Sequence, residues 1–160
     1  MFNLLKRPIR TADLTGSKLF NQDDFYPAFL KDLSNCQHEA IIESPFLTQR
    51  RLATLSPILQ KLKARNVKVT VNTRDPLESD EEYMRQEAIQ AASKLQHMGV
   101  QVLYTGHHHR KLAVLDRNIL WEGSLNILSQ NNSCEVMRRI TSSQLAWQMV
   151  RFIGLDKRMN

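Results

Sequence analysis

With 160 residues, 42% hydrophobic and 24% charged, the chain has the size and composition of one soluble globular domain able to bury its own core. Five glycines, five prolines and two distant cysteines exclude a fibrous, low-complexity or disulfide-built chain, and Cys36 and Cys134 match no metal or redox spacing. Twenty-two Lys and Arg against sixteen Asp and Glu leave a charge of +6, which favours a polyanionic partner: nucleic acid or an anionic membrane surface.

The elements follow from periodicity. Asp23 and Asp24 stand before Phe25, Tyr26, Phe29, Leu30 and Leu33, a helical spacing behind an acidic start. Residues 39–43 are a short apolar run stopped by Ser44 and Pro45, which predicts a strand. Leu52, Leu55, Ile58, Leu59 and Leu62 then mark an amphipathic helix. Residues 67–71 alternate as a strand that closes at residues 72–76. A further helix is expected over residues 79–98, with Glu81 and Glu82 in its first turn and Gly99 after its end. Beyond it the pattern becomes β-like, with strands expected over residues 100–104, 109–116, 119–122 and 135–140 and a tight turn at 116–118. Thr141 opens a last helix carrying Leu145, Trp147, Met149, Val150 and Ile153. Strands alternating with helices, then a cluster of strands, predict an α/β fold with a mixed β-sheet flanked by helices. Residues 1–20 carry no assigned element and read as an N-terminal extension, with the domain expected over residues 21–160. No apolar run is long enough to span a bilayer and no signal peptide is visible, so a cytoplasmic protein without membrane attachment is expected.

The chemistry concentrates in residues 106–126. On a strand, alternate side chains share a face, so His109 and Lys111 point together with Ala113 and Leu115, while Arg110, Leu112 and Val114 take the other side. A histidine beside a lysine makes a place for a phosphoryl group, with a nucleophile or proton carrier next to a fixed cation. A hairpin would return Gly123 and Ser124 alongside that face. Gly123 permits close backbone approach, and Ser124 and Asn126 offer donors to phosphate oxygens. His107 shares the face of His109 and is expected to line the pocket, whereas His108 has no expected role. Trp121 and Trp147 read as core or interface residues.

His109-x-Lys111, four residues, Asp116, six residues, then Gly123-Ser124-x-Asn126 resembles the signature of the phospholipase D superfamily at every specified position and in both gaps. The order of elements over residues 23–155 is also similar to a single domain of that family. The resemblance implies a phosphodiesterase that forms a covalent phosphohistidine and uses no metal and no cofactor. Under it, His109 is the nucleophile or its partner acid, and Lys111 and Asn126 clamp the phosphate. Ser124 assists, and Asp116 supports the site through hydrogen bonds. Glu135 is the candidate for the downstream acidic residue that orients the histidine. The mechanism needs two such histidines, yet none of His38, His97, His107 and His108 has a lysine two residues on. Single-motif members of the family build one site across a two-fold axis, so a homodimer is expected, each chain contributing one His109.

Single-motif members of this length look mostly like nucleases, including helicase- and restriction-associated ones. Nucleic acid, DNA more than RNA, is therefore the expected partner, with an associated helicase or restriction system. Arg50, Arg51, Arg74 and Arg110 are the candidate backbone contacts. Residues 44–48 and 73–75 follow strand ends, where the loops of α/β sheets meet ligands. Neutralising roughly four to six phosphates would give a slope of log affinity against log salt of about −4 to −5. Two other readings stand beside this one: a phospholipase-type enzyme on the same chemistry, and a nucleic-acid-binding or dimerisation module without turnover.

Overall fold

Seven strands form one mixed sheet and four α-helices cover its two faces in the computed structural model, which describes residues 16–129 and 132–159. In chain order the elements are β1 (Ser17–Phe20), α1 (Phe25–Ser34), β2 (Glu39–Glu43), α2 (Gln49–Ala64), β3 (Lys68–Arg74), α3 (Glu82–His97), β4 (Gln101–Thr105), β5 (Leu112–Leu115), β6 (Ile119–Gly123), β7 (Met137–Thr141) and α4 (Ser143–Ile153). The strand order is β1-β7-β6-β5-β2-β3-β4. Strands β2, β3 and β4 run parallel, as the intervening helices require, and every other pairing is antiparallel.

The alternation along each strand decides which helix it meets. Ala40, Ile42, Val69, Val71, Ala113 and Leu115 face α1, α2 and α3, whose Phe25, Phe29, Leu52, Leu59 and Leu95 complete that core. Ile41, Leu112, Val114, Leu120 and Ile140 face the other way, against Ala146 and Val150 of α4. A sheet covered on both faces explains why residues 39–43 and 112–115 read as apolar runs rather than as clean alternations. Trp121 is wholly buried among Phe20, Phe25 and Phe29, and its indole N–H donates to Asp32 at 2.9 Å. Trp147, in contrast, sits on the surface of α4 beneath the Arg117 guanidinium.

Three elements differ from expectation. Strand β1 lies within the stretch read as an extension and pairs with β7 at the sheet edge. Its four residues, two of them exposed and two half-buried, make no periodic run long enough to signal a strand, and residues 1–15 lie outside the described residues. The strand expected over residues 109–116 shrinks to β5, because its neighbour β2 ends opposite Leu112, where Ser44 and Pro45 turn the chain away. His109 and Lys111 therefore precede the ladder instead of standing in it. Strand β7 likewise begins at Met137, two residues beyond the expected start.

Parallel pairing puts the carboxyl ends of β2, β3 and β4 at one end of the sheet. The antiparallel registers add the start of β5 and β7 and the close of β6 and β1 to the same end. That is where open α/β sheets present their loops to ligands. Among the described residues, no helix is long and apolar enough to cross a membrane.

Candidate active site

The loop at residues 106–111 connects β4 to β5 and is held from both sides. His107 takes a positive φ of 54°, and its N–H donates to both carboxylate oxygens of Glu78 at 2.9 and 3.0 Å. Glu78 also receives Arg74 Nε at 2.9 Å. Arg110 reaches back to Glu43, with Nε 2.5 Å and Nη2 2.9 Å from the two carboxylate oxygens. The Asn72 amide donates to the same carboxylate at 2.8 Å. Between these anchors His108 turns inward. Its ring donates to the Asn72 carbonyl, and its Nε2 is buried with no hydrogen-bond partner among the described residues.

So fixed, the loop brings the two motif side chains together. The Lys111 ammonium lies 2.7 Å from the His109 carbonyl and 3.0 and 3.5 Å from Nδ1 and Nε2 of its ring. An ammonium can only donate, so in this contact the ring is the acceptor, with Nδ1 the nearer nitrogen.

The facing wall comes from β6 and β7. Gly123 lies opposite Met137 in the register, so close that a β-carbon would collide with the Val136 carbonyl and stand 2.9 Å from the Met137 Cα. Only glycine lets the two backbones meet there. The Ser124 N–H bonds the Val136 carbonyl at 2.9 Å, the Val136 N–H returns a bond to Ser124 Oγ at 3.1 Å, and Ser124 Oγ donates to Glu135 Oε2 in a short contact. Ser133 Oγ holds the other oxygen of Glu135 at 2.7 Å, and Gln22 accepts its backbone N–H at 3.0 Å. His109, Lys111 and Ser124 thus wall one open depression of about 760 Å³, with Glu122, Arg138 and the exposed Leu19 and Val136 completing it.

Electrostatics follow from this packing. Burial pushes the Lys111 ammonium below the ordinary lysine range, against the opposing pull of Glu135. Burial also lowers His108, with the Arg110 and Lys111 charges adding to the effect and Glu43 opposing it. The Glu78 carboxyl is lowered, first by the His107 N–H and then by Arg74.

The other expected site residues fall in different places. Asp116 sits at the far end of β5, in a two-residue turn where it and Arg117 both have φ of 50°. Its carboxylate accepts the N–H groups of Gln37, His38 and Glu39 at 2.9, 2.8 and 3.0 Å, tying the β5–β6 hairpin to the start of β2. It supports the sheet and does not reach the depression. Asn126 is half-buried and forms no part of the depression's wall. Arg110 lines the depression but is committed to Glu43, and Arg74 is committed to Glu78. Arg50 and Arg51 belong to a neighbouring cleft, Arg51 lying 3.5 Å over the Tyr26 ring. His107 is held on Glu78 and lies off the depression. Glu43, Glu78 and Ser133, which hold the site together, were not singled out from the sequence. Only Glu43, a carboxylate closing an apolar run, carried a visible signal there.

A family model described as "Cardiolipin synthase, PLD-like domain" matches residues 29–153. No curated protein matches the sequence. Among solved structures, the chain is similar to NucT from Helicobacter pylori, with TM-score 0.67 and 18% identity over 85% of this chain and 91% of that one. It is also similar to Nuc, a phospholipase D family member from Salmonella typhimurium, with TM-score 0.68 and 13% identity over 85% and 90%. Phosphatidylserine synthase from Haemophilus influenzae gives TM-score 0.62 and 14% identity over 84% of this chain and 37% of that one.

Proposed function

This chain belongs to the phospholipase D-like family, and from that premise we propose that it is a metal-independent phosphodiesterase cleaving nucleic acid, DNA before RNA, in a site shared by two copies of the chain. The observation that carries the reading is the meeting of His109 with Lys111 across one depression from the Ser124–Glu135 pair.

In the first step a His109 ring nitrogen attacks phosphorus, and the bond to the leaving oxygen breaks as the partner subunit's His109 gives that oxygen its proton. The partner subunit's His109 then takes a proton from water, whose oxygen displaces the His109 nitrogen from phosphorus and releases a phosphomonoester. Lys111 faces the charge that grows on the non-bridging oxygens, with Asn126 as the second donor that the family resemblance implies. Glu135, through Ser124, keeps a carboxylate close enough to raise the Lys111 ammonium's preference for its charged form. A shared site is supported by the single histidine–lysine pair and by the apolar rim, where Leu19 is 59% and Val136 51% exposed beside the depression.

The test is cleavage of plasmid and single-stranded DNA in excess EDTA, with sedimentation to report the oligomeric state. The wild type should cut as a dimer, with a bell-shaped pH–rate profile, and His109→Ala should lose at least about a thousandfold in rate. Cleavage that needs magnesium and survives His109→Ala would refute the mechanism.

A further inference from the structure

A second depression, of about 450 Å³, adjoins the first and is polar where the first is mixed. Arg50 and Arg51, in the first turn of α2, form one side with Tyr26, and residues 132–134 form the other. The arrangement is rigid where it matters. The Arg51 guanidinium stacks 3.5 Å over the Tyr26 ring, and the Tyr26 hydroxyl donates at 2.7 Å to the carbonyl of Ile127, the residue after Asn126. A planar group stacked this way is held in orientation and loses little freedom on binding an oxyanion. The positive end of α2 adds to the field of the two guanidiniums. The opposing charges are Asp23 at the rim, whose carboxylate accepts the Gln22 amide at 3.4 Å, and Glu135, held by Ser133 of this cleft.

The two depressions are separated by one carboxyl group. Ser124 walls the first, Ser133 walls the second, and both hydroxyls donate to opposite oxygens of Glu135. A ligand filling both would pass the Glu135 carboxyl, with one anionic group on each side of it.

We propose that this cleft is a second phosphate subsite of the same site. It holds the phosphodiester adjacent to the one cleaved, so that the substrate is a polynucleotide chain and not a lipid with a single phosphate. The inference rests on the phosphodiesterase reading above and specifies its substrate class. A dinucleoside monophosphate has one phosphodiester and cannot use the subsite, whereas a trinucleotide has two and can.

The experiment compares kcat/KM on these two substrates and on bis(p-nitrophenyl) phosphate, for wild type and for the double variant Arg50→Gln/Arg51→Gln. Arg51→Lys serves as the charge-keeping control. The wild type should gain about tenfold from dinucleotide to trinucleotide, since a charge-assisted bond to phosphate is worth about that factor. The double variant should lose most of that gain and Arg51→Lys less of it. The salt slope on longer single strands should fall by about one to two in the double variant. Equal wild-type rates on the two nucleotides, or an undiminished gain in the double variant, would overturn the subsite while leaving the nuclease reading intact. If His109-dependent activity appears on bis(p-nitrophenyl) phosphate or phosphatidylcholine vesicles but on neither nucleotide, the nucleic-acid reading itself fails, and the subsite with it.

Discussion

Removing Arg110 should destabilise the protein more than neutralising Glu43, although the two residues form one ion pair. The reason is unequal burial. Glu43 has a side-chain exposure of 0% and Arg110 one of 40%. A stranded guanidinium can turn into water, while a stranded Glu43 carboxylate keeps only the Asn72 amide as a hydrogen-bond partner among the described residues. Leaving a buried charge without its counterion costs about 3–5 kcal/mol. With the Asn72 bond retained, Arg110→Met should cost about 3 kcal/mol, which lowers Tm by about 6–12 °C in a domain of this size. Glu43→Gln keeps the side-chain shape and an oxygen acceptor and should cost about 1 kcal/mol, or about 2–4 °C. The double variant Glu43→Gln/Arg110→Met buries no charge and should be more stable than Arg110→Met alone, giving a coupling of about 2 kcal/mol. Thermal melting followed by circular dichroism, with all four proteins at one pH and salt, reads the whole cycle. Glu43→Gln falling furthest, or strictly additive losses, would refute the assignment of the pair as the anchor of the loop at residues 106–111.

Gly123→Ala should lower Tm by several degrees and kcat by about a hundredfold, because its β-carbon would push the Val136 carbonyl away and move Ser124 with it; a variant with wild-type melting and kinetics would contradict that packing. Burial raises the Asp116 carboxyl, but the N–H groups of Glu39, Gln37 and His38 outweigh it and hold the group below the usual carboxylate range. The stability it contributes is thus fully present above the unfolded value of about 4 and is lost as pH falls through the lower folded value. Asp116→Asn, which tolerates the positive φ, should melt lower at neutral pH and converge with wild type near pH 2, roughly; parallel Tm–pH curves would sink the argument. The Cys36 thiol is pushed up to about 12 by burial and is fully packed, whereas Cys134 is exposed. A thiol reagent should therefore modify Cys134 alone in the native protein and both cysteines in denaturant.

Much of this molecule is decided locally. The helix over residues 49–64 and the strands of β2 and β3 need only periodicity, and the spacing from His109 to Asn126 needs only the order of residues. Spacing along a chain marks which side chains are chemically suited to a site, and His109, Lys111 and Ser124 do share one depression. Spacing does not say at which end of a strand a residue lands, and so Asp116, inside the same signature, stands at the opposite end of β5. Strand β1 was invisible because an edge strand of four residues exists only through its partner β7. The anchors Glu43, Glu78 and Ser133 were equally hidden, since a carboxylate or hydroxyl acquires its role from what packs against it. Glu43 is the sharpest case. In sequence it closes an apolar run, and only the antiparallel pairing of β2 with β5 sets it beneath Arg110. The sequence by itself determined the helices, most strands and the chemical vocabulary of the site. The tertiary structure alone decided which members of that vocabulary meet, because contacts between β2, β5, β6 and β7 close over long sequence separations that no local signal spans.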